Sequence, residues 1–260
     1  MAGRSSGLLV AADPPPAAVE NPGGASPLVI LGDHAGRAIP ARLGDLGLAS
    51  ADRERHIAWD IGVEGLGLGL ARRLDAVFVR QRYSRLVIDC NRAPGAKNSV
   101  VEESDHSPVP GNRGLSAAAS EARRTEVFQP YQDAIAAILQ ARVAARRPTL
   151  LFSLHSFTPV MDAFQRPWRF GILHRGDSAF SRRVLEALRR HAGDAVGDNQ
   201  PYAMEGTDYT IPFHADANGL DYVELEVRQD LIADEAGEAR WAALLTRLLP
   251  IACAQLPELA

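Results

Sequence analysis

Residues 27–40, PLVILGDHAGRAIP, and residues 149–159, TLLFSLHSFTP, decide how this chain folds. Each carries a short apolar run, residues 28–31 and 150–154, that stops abruptly at polar and glycine residues. Apolar runs of that length, bounded by turn-formers, are the pattern of buried strands. Each delivers a histidine at its end, His34 in one and His155 in the other, and in open α/β sheets the strand ends are where ligands bind. A third run, DYVELEVRQDL at residues 221–231, alternates. Val223, Leu225 and Val227 point one way and Glu224, Glu226 and Arg228 the other. Two imidazoles and a carboxylate on converging strands point to a hydrolytic metal site.

Outward from these runs, residues 51–76 show helical spacing, with Ile61, Leu66, Leu70 and Leu74 on nearly one face. Gly62, Gly65, Gly67 and Gly69 lie in that helix but lack the GxGxxG spacing and do not follow a strand, so close helix packing explains them better than a dinucleotide loop. Two further strands are expected at residues 76–79 and 86–88, the second ending in Asp89, Cys90, Asn91 and Arg92. Residues 93–115 have no periodicity and read as a long loop that could cover a pocket. Residues 116–147 read as helix with a kink or break at Pro130. Residues 168–173 read as a strand, and Asp177 and Asp234 as N-caps of the two remaining helices. Strands alternating with helices predict an α/β fold, a three-layer α/β/α sandwich with a mixed, largely parallel sheet.

The chain has 260 residues, 46% of them hydrophobic, which is enough for a sizeable core. No interior linker appears, so one domain is expected over residues 21–260, after a flexible tail at residues 1–20. The formal charge of −4 gives no sign of a nucleic-acid-binding surface. No run approaches the roughly 18 apolar residues that a membrane span needs. Two cysteines, Cys90 and Cys253, are too few for a disulfide framework and fit a reducing cytosol, hence a cytoplasmic location. Cys90 lies beside Asp89, which would raise its pKa and argues against a thiolate nucleophile. GxSxG is absent. The oligomeric state is not readable.

Zinc accepts neutral histidine nitrogen and carboxylate oxygen, and a catalytic site keeps one position open for water. His34 and His155 are candidate ligands, with Asp60 in HIAWDIG as the third; a satisfied structural role is the alternative for either ring. Glu226 is the candidate general base, unless the Glu224, Glu226 and Arg228 side is the solvated face of an edge strand. Arg85, Asn91 and Arg92 cluster on one segment, and arginine's planar fork suits a substrate carboxylate. Surface salt bridges are the alternative.

Taken together, SPLVILGDHAG, HIAWDIG, YSRLVIDCNR, PGN, SLHSFTPVM, RPWRFGIL, VGDNQPY, DYTIPFHA and VELEVRQDLI resemble the N-formylglutamate amidohydrolase family, from about Asn21 to about Trp241. That family is similar to zinc carboxypeptidases and aspartoacylase, so the resemblance implies a phosphorylase/hydrolase-like α/β/α core and one Zn2+ per chain, other divalent metals being possible. It implies His34 and His155 as zinc ligands, Glu226 as general base, Asn91 and Arg92 as the pair holding a substrate carboxylate, and Arg85 as the group polarising the scissile carbonyl. The carboxypeptidase relatives carry a glutamate three residues after the first histidine, where this chain has Arg37, which leaves Asp60 or His56 as third ligand. Some family members read PYH where this chain has Pro130, Tyr131 and Gln132. His214 is expected to orient substrate or to lie on the surface. The implied partner is a small acidic N-acyl amino acid, most simply N-formyl-L-glutamate, hydrolysed to formate and L-glutamate. A deacylase for another N-acyl amino acid, or a non-catalytic metal- or ligand-binding protein of the same fold, is the alternative.

Overall fold

A computed structural model of the chain describes residues 7–254 and 256, apart from 205 and 207. In chain order the elements are β1 (Ala17–Glu20), β2 (Leu28–Gly32), α1 (Ser50–Arg53), α2 (Val63–Leu74), β3 (Val77–Gln81), β4 (Glu103–Ser104), β5 (Ser107–Pro108), α3 (Ala117–Arg123) and α4 (Gln129–Ala144). They continue as β6 (Leu150–Phe157), β7 (Val160–Met161), β8 (Phe164–Gln165), β9 (Phe170–Leu173), α5 (Ala179–Ala192), β10 (Val196–Asp198), α6 (Thr210–Asn218), β11 (Tyr222–Arg228) and α7 (Glu235–Ala254).

Seven strands form one sheet in the order β1-β3-β2-β6-β11-β9-β10. β1 pairs antiparallel with β3 and β9 antiparallel with β11, while the other pairings are parallel. Side-chain alternation divides the core between the two faces. Leu28, Ile30, Phe152, Leu154, Val223, Leu225 and Val227 pack against α2, α5 and α7. Val29, Leu31, Leu151 and Tyr222 pack on the other face with Tyr131, Ile135 and Leu139 of α4 and Ile211 of α6. The expected α/β/α sandwich is therefore present. The glycines of α2 serve packing: a Cβ on Gly67 would fall 2.4 Å from the Phe78 ring and one on Gly69 would touch Ala242 of α7.

The structure corrects or refines the sequence reading in five places. The expected tail is ordered from residue 7 onward: β1 adds an edge strand, and the backbone amides of Leu8 and Leu9 donate to the Glu126 carboxylate. Residues 1–6 lie outside the described residues. The helix expected over residues 51–76 is split by turns at residues 54–62. Residues 86–88 are buried but form no strand, because their carbonyls are taken by side chains: Asn112 Nδ2 donates to Leu86 O at 2.9 Å and Arg123 Nη1 to Val87 O at 2.8 Å. The break near Pro130 is a π-helical stretch at Arg124–Phe128, immediately before α4. Ser178, not Asp177, caps α5, its hydroxyl accepting from Ser181 N at 3.3 Å, and Asp177 instead accepts from the Tyr222 hydroxyl at 2.5 Å.

β2 has β3 on one side and β6 on the other. The chain thus leaves β2 for one neighbour and later returns to the opposite one. The crossover helices α2 and α4 lie on opposite faces of the sheet. This is the arrangement that opens a crevice beyond the strand ends. His34 and His155 stand at that point.

Candidate functional site

The register explains which side chains meet. Glu226 pairs with His155, and Glu224 with Ser153. Their apolar neighbours Val223, Leu225, Phe152 and Leu154 go to the α2, α5 and α7 side, so period-two geometry sends His155, Glu224 and Glu226 to the opposite face. His34 follows β2 in a turn, and its carbonyl accepts from Asp60 N at 2.9 Å, which docks the HIAWDIG loop beside it. Gly62 closes that loop at φ 81°, where a Cβ would lie 2.0 Å from Ile232 O. Only glycine fits there.

Nitrogens of His34 and His155 and an oxygen of Asp60 lie within 4.8 Å of one another, all in buried residues, a grouping that could hold a metal ion. The ring centroids of the two histidines are 4.9 Å apart. His34 Nδ1 stands 3.6 Å from Asp60 Oδ2 and has no hydrogen-bond partner, and His155 Nδ1 is 2.9 Å from the same oxygen. The far nitrogens are held from behind. His34 Nε2 meets Asp89 Oδ1 at 2.6 Å, and His155 Nε2 lies 3.0 Å from Ser153 Oγ and 3.4 Å from Asp33 Oδ2. The Asp89 carboxylate behind His34 Nε2 favours a proton there and leaves Nδ1 facing inward without a partner, as in metal-ligating histidines, whereas His155 Nδ1 faces Asp60.

The electrostatics favour a cation. Burial opposes a charge on His155, yet Asp33 and Asp60 outweigh it and hold the ring well above its ordinary pKa. For His34, burial and Arg85 both oppose charge, and Asp89 and Asp60 still carry the balance upward. Burial would raise Asp60, but the two histidines hold it below the ordinary carboxylate range. Asp89 is likewise held down against burial by Arg85 and His34. The two glutamates of β11 go the other way. Burial pushes Glu226 up to about 7 and Glu224 well above the usual range. One oxygen of each is without a hydrogen-bond partner. β11 is a central strand and both glutamates are buried, which removes the solvated edge-strand reading.

These groups open on a cavity of about 530 Å³ whose wall includes His34, Asp60, His155, Arg85, Glu224 and Glu226. Its other side is the strap of residues 84–92. Arg85 spans from Asp89 Oδ2 at 2.8 Å to Asp60 Oδ1 at 3.4 Å. Asn91 and Arg92 also line the cavity, and both donate to Asp208 Oδ1, at 3.1 and 2.8 Å. The other end of the Asn91 amide accepts from Tyr209 N and Thr210 N at 3.0 Å each, fastening the start of α6.

Three residues weighed from the sequence, His214, His56 and Cys90, fall outside this arrangement, as does Arg37, which stands where the carboxypeptidase relatives carry a glutamate. His214 is buried on α6, bonded through Nε2 to Gln132 Oε1 at 2.8 Å, and is not part of the cavity wall. The helix turns it into the core, so it is neither on the surface nor in the cavity wall. His56 reaches the cavity but stands apart from the buried donor group, its Nε2 3.5 Å from Asp105 Oδ2. Arg37 pairs with Glu54 on the surface. Cys90 is buried and accepts from Gln81 Nε2, and burial pushes its thiol pKa well up, as expected of an inert sulfur. Sequence reasoning passed over Asp33, Glu224 and Asp208. Asp33 had the only strong local signal, its place directly before His34.

The fold and the cavity together describe an α/β protein with a polar, carboxylate-rich cavity beside the strand ends of an open sheet. The N-formylglutamate amidohydrolase family matches residues 26–233, and the chain belongs to that family of hydrolases. Among solved structures, a gene product from Agrobacterium tumefaciens is 34% identical with a TM-score of 0.91, over 95% of this chain and 98% of that one. The N-formylglutamate amidohydrolase from Ralstonia eutropha JMP134 is 20% identical with a TM-score of 0.71, over 92% of this chain and 97% of that one, a likeness of fold. A search of curated proteins gives no significant match. No helix among the described residues is long and apolar enough to cross a membrane.

Proposed function

We propose that this protein hydrolyses the amide bond of an N-acyl amino acid, in the simplest case N-formyl-L-glutamate, using a zinc ion held by His34, Asp60 and His155. One observation carries the reading: in a chain of this family, a buried His–Asp–His donor group shares a cavity with an unpartnered glutamate on the adjoining strand. The donor set fits the group, because both rings offer nitrogen backed by a carboxylate, His34 Nδ1 has no other partner, and Asp60 supplies oxygen. Zinc bound there would supply Lewis acidity towards the acyl oxygen and towards water.

The chain's own groups then divide the work. Glu226 takes a proton from the attacking water as it adds to the acyl carbon. It returns that proton to the departing nitrogen as the C–N bond breaks, releasing the carboxylic acid and the free amino acid. Burial raises the pKa of Glu226, which makes it a stronger proton acceptor than an exposed glutamate. Arg85, held in place by Asp89 and Asp60, meets the negative charge developing on the acyl oxygen, a contribution of roughly 3–4 kcal/mol for comparable donors. Asn91 and Arg92 receive a carboxylate of the substrate.

The test combines elemental analysis of the purified protein with formate release from N-formyl-L-glutamate. A panel of formyl, acetyl and longer acyl derivatives of Glu and Asp identifies the acyl group. Bound zinc with hydrolysis of at least one member supports the reading, and zinc-loaded protein that hydrolyses none of them refutes it.

A further inference from the structure

The Asn91–Arg92 pair already holds a carboxylate, and it belongs to the chain. Asp208 Oδ1 accepts from Asn91 Nδ2 at 3.1 Å and from Arg92 Nη1 at 2.8 Å, and the Asp208 side chain is 9% exposed. One oxygen receiving an amide N–H and a guanidinium N–H is what a bound substrate carboxylate would receive from the same two residues. We propose that Asp208 is an internal stand-in for the substrate carboxylate, a specificity residue that admits an acid to the clamp only by exchange. The inference rests on the clamp role given to Asn91 and Arg92 above.

Two further observations fit an exchangeable contact. The start of α6 is fastened by Asn91 Oδ1, through Tyr209 N and Thr210 N, and not by the Asp208 carboxylate. Turning the Asp208 side chain away therefore leaves the helix attached, so the exchange requires a rotamer change and no refolding. Asp208 also lines the cavity itself, so a carboxylate entering there meets its charge and gains Arg92 only by displacing it. An uncharged compound has no means of displacing Asp208.

The experiment uses the full-length, metal-loaded protein and titrates it calorimetrically with glutarate, a dicarboxylate that cannot be hydrolysed. Asp208→Asn removes the competing charge, and glutarate should bind roughly tenfold tighter, the value of one charge-assisted hydrogen bond. Asp208→Glu keeps a carboxylate within reach and should behave as the parent. The gain should vanish when Arg92→Gln is added. With N-formyl-L-glutamate the same gain should appear in KM rather than kcat, and not with an uncharged N-formyl amino acid amide. Unchanged or weaker glutarate binding in Asp208→Asn, or no measurable binding to any form, overturns the proposal. Should Asp208→Asn not fold, Asp208→Ser carries the same test. Tighter glutarate binding in a protein that hydrolyses no N-acyl amino acid would sustain the exchange while removing the catalytic reading.

Discussion

Acidification should destabilise this protein through a buried histidine outside the cavity wall. His214 is buried on α6 with Nε2 donating to Gln132 Oε1. Burial dominates its titration and pulls the pKa down to about 4, Asp33 being the charged group that works the other way. In the unfolded chain the same ring titrates near 6.5. A depressed folded pKa stabilises the fold above the unfolded value, and that stability is lost as pH falls from 6.5 through 4. Linkage gives a loss of about 2 kcal/mol by pH 5 and about 3 kcal/mol by pH 4. His34 and His155 act with the opposite sign, because their raised pKa values stabilise the fold in acid and the benefit fades as pH rises through them. The measurement must therefore be a difference. Urea unfolding of the parent and of His214→Gln, which keeps a donor for Gln132, is compared at pH 7 and pH 5. The parent should lose about 2 kcal/mol more than the variant over that interval. Parallel stability profiles for the two proteins would show that the buried ring is not what senses the acid.

Three further substitutions probe the site. Glu226→Gln should lower kcat/KM by roughly 10²- to 10⁴-fold while metal content by elemental analysis stays at the parental level; unchanged turnover would remove Glu226 from the proton path. Asp89→Asn weakens the support behind His34 Nε2 and should reduce metal affinity by roughly 10- to 100-fold in chelator competition; equal affinity would mean that Asp89 does not orient this ligand. Gly62→Ala places a Cβ 2.0 Å from Ile232 O at a φ of 81° and should cost at least about 2 kcal/mol in thermal or urea unfolding, from the left-handed conformation together with the clash. A near-parental melting curve would mean that the loop carrying Asp60 can shift freely.

Much of the fold could be read because the central strands are buried on both faces. Residues 28–31, 150–154 and 222–228 show themselves by composition and alternation alone, since each must present apolar side chains to a helical layer. Residues 86–88 have the same composition and form no strand. Their burial is real, but Asn112 and Arg123 satisfy their carbonyls across 26 and 36 positions of sequence, a substitution of side chains for a sheet partner that no local pattern announces. β1 was missed for the complementary reason. Ala17–Glu20 is partly exposed at the sheet edge and needs only the backbone of β3, so its sequence AAVE bears little mark of a strand.

The candidate site was legible where chemistry and strand register coincide. His155 and Glu226 are separated by 71 positions, yet parallel pairing of two alternating strands puts them directly opposite, and the apolar residues between fix the face they share. What alternation could not supply was charge balance. Arg85 and Arg92 looked like cations offered to a substrate, but each faces carboxylates of the chain itself, Asp60 and Asp89 for one and Asp208 for the other. Because Asp60 and Asp208 come from other loops, a sequence shows which side chains carry charge but not how much of that charge a ligand meets. The consequence reaches specificity. If both arginines face a substrate already engaged, affinity for an acidic amino acid depends on the difference between two carboxylates competing for one guanidinium, and only the surplus favours binding. On the function proposed above, the substrate's acyl end and its carboxylate end would be selected by separate groups, the first at His34, Asp60, His155 and Glu226, the second at Arg92 and Asp208.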